Sequence, residues 1–218
     1  MFKPILVISL SAHITPEVSQ VFQVNGVLLD HDGGKYVIRT ASYDVFSIEK
    51  MDLSVQGLAA LLGRPDINNI AQAESRMPLS DGLSRTLDDV LRDREEGIGE
   101  LAIYVTAMSP LQIVRAIVGM RAMDASSVIY AHDQINNTDP EVMKANMERL
   151  QKIVQECQCP IYGIVDALTT AIMLSAKVNV KDFNSFDIKI PTLKVMTAKG
   201  MAAFPVKEQK PNPLQVVR

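Results

Sequence analysis

The densest run of side chains able to do chemistry is Asp30-His31-Asp32-Gly33-Gly34, with two carboxylates and an imidazole in three consecutive residues. The flanking runs Val24–Leu29 and Lys35–Thr40 are apolar. Asp-x-Asp-Gly-Gly between such runs reads first as a β-hairpin turn, because the glycines accept positive φ. The three histidines, His13, His31 and His132, could form a metal site only if folding gathers them. Their spacing carries no such signal, so no metal and no other cofactor is expected. Cys157 and Cys159 form a C-x-C pair, able to chelate a metal or close a strained disulfide. No second cysteine or histidine cluster completes a site, so they read as two small buried or half-buried thiols in a reducing cytosolic setting.

The elements that must position these groups fall into two parts. In the first, Phe2–Leu10 reads as a buried strand, and the hairpin around residue 32 with a possible third strand at Ser42–Ile48 makes a small antiparallel sheet. Two helices are expected next. Asp52 caps one that runs to Leu62, and Ser80-Asp81 opens another with Leu83, Leu87, Val90 and Leu91 on one face. In the second part, apolar runs at Leu101–Thr106, Ser127–Ala131 and Pro160–Val165 alternate with helical patterns at Pro110–Met123, Asp139–Cys157 and Ala167–Lys177. That alternation signals βαβ units with a mainly parallel sheet, hence an α/β fold. Strands are also possible at Val178–Val180 and Lys189–Thr197, and Pro205–Arg218 reads as an extended or disordered tail. The expected organisation is therefore 1–99 as a hairpin and helical region, 100–204 as the α/β core, and 205–218 as the tail.

Two family resemblances follow from these residues. Asp30-His31-Asp32-Gly33 after an apolar run resembles the aspartate motif of haloacid dehalogenase phosphatases. That resemblance implies Asp30 as nucleophile and Asp32 as general acid/base, with Asp133 in the metal-binding segment. However, the motif precedes a hairpin here, and no phosphate-binding lysine stands in the expected place between Thr106 and Asp133. The order of elements from Glu100 to about Gly200 is similar to that of the ClpP peptidase and crotonase superfamily. Cys159 to Ala176 resembles its nucleophile segment. The resemblance implies ClpP/crotonase-like βαβ units, with Thr170 or Thr169 at the nucleophile position and Ile135-Asn136 at the Gly-Gly oxyanion loop. No histidine follows His132, so a Ser-His-Asp site cannot be assembled from the matching positions. A lysine base, Lys177, Lys194 or Lys199, is the alternative.

The chain carries a formal net charge of −3, with 47% hydrophobic and 22% charged residues, the composition of a soluble globular protein. It has no long basic run, so no nucleic-acid role is expected. Ile5–Leu10 is too short to span a membrane, and no other apolar run reaches that length, so a cytoplasmic protein without membrane contact is expected. The reading is a ClpP-like scaffold with an eroded protease site, not an enzyme, acting through self-assembly or a protein or peptide partner. The alternatives are a peptidase using Thr170 and a phosphatase using Asp30 and Asp32. The superfamily resemblance, the 11 methionines and the apolar Leu214, Val216 and Val217 in the tail point to a homo-oligomer.

Overall fold

The apolar run beginning at Ile5 becomes β1 (Ile5–Ile14), and the rest of the sheet is built on both of its edges. The computed structural model describes residues 2–14, 19–32, 35–46, 76–92, 101–106, 128–135, 140, 141, 144, 158–178 and 192–205. Within these, β2 (Ser19–Asp32) and β3 (Lys35–Phe46) follow β1 as antiparallel neighbours, with Val7 opposite Val27 and Val27 opposite Thr40. On the other edge, β5 (Ala102–Val105) runs parallel to β1, and β6 (Val128–Tyr130) parallel to β5. A last hairpin, β7 (Thr192–Thr197) and β8 (Gly200–Pro205), extends the sheet beyond β3. It turns at Gly200, whose φ of 105° suits a residue without a Cβ. The order is β6-β5-β1-β2-β3-β7-β8, with the short β4 (Met77–Pro78) pairing β3 off this path.

Period-two alternation along β1 and β2 sends side chains to both faces, and among the described residues each face receives one long helix. Leu6, Ile8 and Leu28 pack beneath α1 (Leu79–Leu91) through Leu83, Leu87 and Val90. The opposite face, with Ile5, Val7, Val27 and Leu29, packs beneath α3 (Tyr162–Val178) through Ile164, Ala167 and Leu168. Burying a side chain of this size contributes roughly 1.5–3 kcal/mol. Under α1, the Tyr43 hydroxyl donates to the Asp89 carboxylate, which also accepts from Arg92. Burial first, and then the Asp89 carboxylate, push the Tyr43 phenol up to about 12. We expect Tyr43→Phe to lower stability by about 1–2 kcal/mol, the scale of one lost hydrogen bond to a charged partner, as read by urea unfolding at pH 7.

The α/β class and the parallel pairing of the runs at 101–106 and 127–131 are as expected, and the first 48 residues supply antiparallel strands. The ClpP/crotonase-like order is not realised. Pro160–Val165, expected as a third parallel strand, is the entry and first turn of α3. This helix has buried residues around much of its circumference, among them Ile164, Ala167, Ala171, Ile172 and Leu174. A short apolar run at its start cannot be told from a buried strand by periodicity. The run ending at Thr197 forms β7, which is parallel to β3 and separated from β6 by the width of the sheet. The helices expected at 52–62 and 110–123, and the tail beyond residue 205, lie outside the described residues. Of the helix expected at 139–157, only Pro140, Glu141 and Lys144 are described, and they are helical.

Candidate functional site

Along β1 the face beneath α3 changes character. Ile5 and Val7 are apolar, whereas Ser9 and Ser11, next on the same face, are hydroxyl residues. The change continues across the sheet. Ser9 is opposite Asn25 and Asn25 opposite Ser42, while Ser11 is opposite Gln23 and Gln23 opposite Asp44. Two polar rungs thus lie side by side at the carboxyl end of β1, the end where α/β sheets place ligand sites. β5 is parallel to β1 and delivers Thr106 to the same end, its backbone N–H bonded to the Ile8 carbonyl at 3.2 Å.

The rungs are internally bonded. The Ser42 hydroxyl donates to Asn25 Oδ1 at 2.8 Å, and Asn25 Nδ2 reaches the Ser9 carbonyl at 3.4 Å. Gln23 Nε2 donates to Asp44 Oδ1 at 3.1 Å. Asn25 is fully buried because α3 begins directly above it. At Gly163 a Cβ would come within 2.0 Å of Asn25 Nδ2, so only a glycine lets the helix approach this closely.

That approach brings Asp166 down onto β1. The Ser9 hydroxyl donates to Asp166 Oδ2 at 2.9 Å, and the Thr106 side chain also bonds this carboxylate. Burial pushes the Asp166 carboxyl up from its ordinary value, and the two hydroxyl bonds oppose that shift without cancelling it. Three elements far apart in sequence thus converge on one carboxylate. Tyr162, one helical turn before Asp166 on α3, is 56% exposed at the edge of this site.

The residues singled out in the sequence are dispersed. Asp30 and His31 are at the far end of β2, where His31 makes ring contacts with Phe2 and Tyr36. Asp30 Oδ1 accepts from the His31 backbone N–H, a turn-type bond, and Asp32 ends the strand. His13 is near the end of β1, and His132, on α2 (Ala131–Ile135) together with Asp133, lies against Tyr130 of β6. Among the described residues, no three His, Cys, Asp or Glu side chains gather as a metal site. Thr170 is buried on α3 one turn after Asp166, with Thr169 half-buried beside it. Lys177 donates to the Gln134 carbonyl at 2.6 Å, whereas Lys194 and Lys199 are exposed. Ile135 ends α2, and Asn136 lies outside the described residues. Cys159 is a buried thiol whose Sγ donates to the Ile161 carbonyl at 4.0 Å, and Cys157 lies outside the described residues.

Sequence reasoning missed Ser9, Ser11, Asn25, Thr106 and Asp166. Two signals were available. Serines at alternate positions interrupt the apolar strand after Ile8, and Asp166 is the one acidic residue between Cys159 and Lys177.

No family model and no curated protein matches this chain. The fold is similar to that in a structure of 3′-end specific recognition of histone mRNA stem-loop by 3′-exonuclease. That match has a TM-score of 0.50 and 13% identity, covering 96% of this chain and 72% of that one. A full-length 3′-exonuclease matches at a TM-score of 0.45 with 11% identity, over 96% and 93% of the two chains. The nuclease domain of a DEDDh family member bound to rAMP matches at 0.45 with 10% identity, over 84% and 94%. The first match, at this identity, speaks to fold. It corrects the ClpP/crotonase resemblance, and with it the eroded-protease scaffold, the Thr170 peptidase and the Asp30/Asp32 phosphatase. The expectations of a non-enzyme and of no nucleic-acid role are likewise set aside, since a fold similar to this one occurs in the structure of a 3′-exonuclease with an mRNA stem-loop.

Proposed function

We propose that this protein binds the end of a nucleic-acid strand over the polar rungs and hydrolyses its phosphodiester backbone there, with Asp166 as proton acceptor. One observation carries this reading: a half-buried carboxylate held by hydroxyls at the shared carboxyl end of β1 and β5. The likeness in fold to a 3′-exonuclease recognising an mRNA stem-loop supports the choice of nucleic acid.

The chemistry follows from the neighbours. The hydroxyls of Ser9 and Thr106 donate to Asp166, which fixes its orientation and leaves acceptor capacity on an ionised carboxylate. Burial makes it a stronger base than a solvated aspartate, closer to the range useful for general base catalysis. A water between Asp166 and phosphorus would give its proton to the carboxylate as its oxygen attacks. The P–O bond to the leaving nucleotide breaks, and solvent protonates the departing oxygen. The first turn of α3 starts one turn before Asp166, and its positive dipole end favours a phosphate. The exposed ring of Tyr162 offers a terminal base a face to stack on, worth roughly 1–3 kcal/mol.

Many nucleases use a pair of divalent ions. The donor set does not fit such a pair: Asp166 is met by two hydroxyls, and Asp44, two strands away, is engaged by Gln23. No step is therefore assigned to a metal.

The test is incubation of 5′-labelled single-stranded RNA and DNA with the purified protein. Labelled strands should shorten stepwise from the 3′ end, and Tyr162→Ala should weaken strand binding about tenfold, as loss of one stacked base implies. Intact strands after prolonged incubation at stoichiometric protein, with either nucleic acid, would overturn the proposal.

A further inference from the structure

We infer that Ser9 and Thr106 occupy ligand positions of an unbuilt cation site, so that this chain works without a divalent ion and gains one when carboxylates are placed there. The inference rests on the nucleic-acid reading for its significance, but its test does not need activity. Three observations carry it. Ser9 from β1, Thr106 after β5 and Asp166 from α3 already touch, so side chains at these positions converge on one small volume. Both hydroxyls bond the Asp166 carboxylate, occupying lone pairs that an ion would need. Magnesium and manganese are held by oxygen ligands, chiefly carboxylates, and a neutral hydroxyl does not replace the charge of one.

The converse is specific. Aspartates at 9 and 106 would put three carboxylates in one partly buried site, where like charges cannot all ionise without a cation between them. Cation binding then becomes part of the folded state's stability, because an ion that binds only the folded form raises the melting temperature.

The experiment compares melting of the wild type, Asp166→Asn, Ser9→Asp, Thr106→Asp and the Ser9→Asp/Thr106→Asp double variant, with manganese chloride or with a chelator. Calorimetric titration of manganese accompanies each. The wild type should melt at the same temperature in both conditions and bind no manganese at this site. The double variant should gain at least about 5 °C at a hundredfold excess over its dissociation constant. The single variants should gain less. If the double variant folds only with manganese, that too is the expected dependence. Wild-type manganese binding that is lost in Asp166→Asn would overturn the inference while leaving the hydrolase reading intact. Absence of binding in every folded variant would overturn it as well, since the hydroxyls would then not be what keeps the ion out.

Discussion

Asp166→Asn should abolish strand shortening, by on the order of 10²–10⁴-fold, the range that a positioned general base supplies, while strand binding changes little. The same substitution should stabilise the protein at neutral pH. The folded-state pKa of Asp166 is raised by burial. A carboxyl raised in this way contributes stability that is fully present below its unfolded value near 4 and is lost as pH rises through the folded value. Above that folded value the wild type holds an ionised carboxylate in a partly desolvated place, and asparagine is relieved of that cost. Asparagine still accepts from Ser9, so the gain is expected to be on the order of 1 kcal/mol, typical of stabilising changes at working sites. Thermal melts at several pH values check the sign. The variant should melt higher at pH 7, and the gap should close as pH falls toward 4. A variant that melts lower than wild type at pH 7 would mean that the carboxylate is structural.

Gly163→Ala should be among the most damaging single-methyl additions in the chain. The new Cβ would meet Asn25 Nδ2 at 2.0 Å and its Cγ at 2.6 Å. Asn25 has no room to turn away, since it is fully buried and bonded to the Ser9 carbonyl and the Ser42 hydroxyl. Either α3 lifts from the sheet or the amide loses its partners. Overpacking costs about 1–3 kcal/mol, and a stranded buried polar group a similar amount. A loss of roughly 3 kcal/mol corresponds to a fall in melting temperature of about 6–12 °C for a chain of this size. Lifting α3 also moves Asp166 off Ser9, so strand shortening should fall with stability. The double variant Gly163→Ala/Asn25→Ala tests the cause. It should be more stable than the sum of the two single changes implies, because the clash is gone. Additive losses would show that Gly163 matters for another reason.

Much of the sheet was legible and its assembly was not. The apolar runs at 101–106 and 127–131 announce parallel strands, and the Asp-Gly-Gly turn announces the β2–β3 hairpin. Nothing local states that β1 joins these two sets by pairing β2 on one edge and β5 on the other, because the β1–β5 pairing links residues about a hundred positions apart. The start of α3 misled for a physical reason: between sheet and neighbours it is apolar on several sides, so Ile161-Tyr162-Gly163-Ile164-Val165 reads like a strand. The candidate site was harder still. Ser9 and Asp166 are separated by 157 residues, and each alone is an ordinary polar residue in an apolar element. Asp30-His31-Asp32 stands out instead, because chemically able side chains are adjacent there in sequence, yet they serve a strand end. Thr170 lies one turn from Asp166 on α3 and is buried.

The most direct measurement is the pH dependence of single-turnover shortening of a 5′-labelled single strand, recorded with a chelator present, for wild type and Asp166→Asn. The wild-type rate should rise with pH as Asp166 ionises and then level off, unchanged by the chelator, with no such rise in the variant. A wild-type rate that vanishes in the chelator, or a variant with the same profile as wild type, would contradict this.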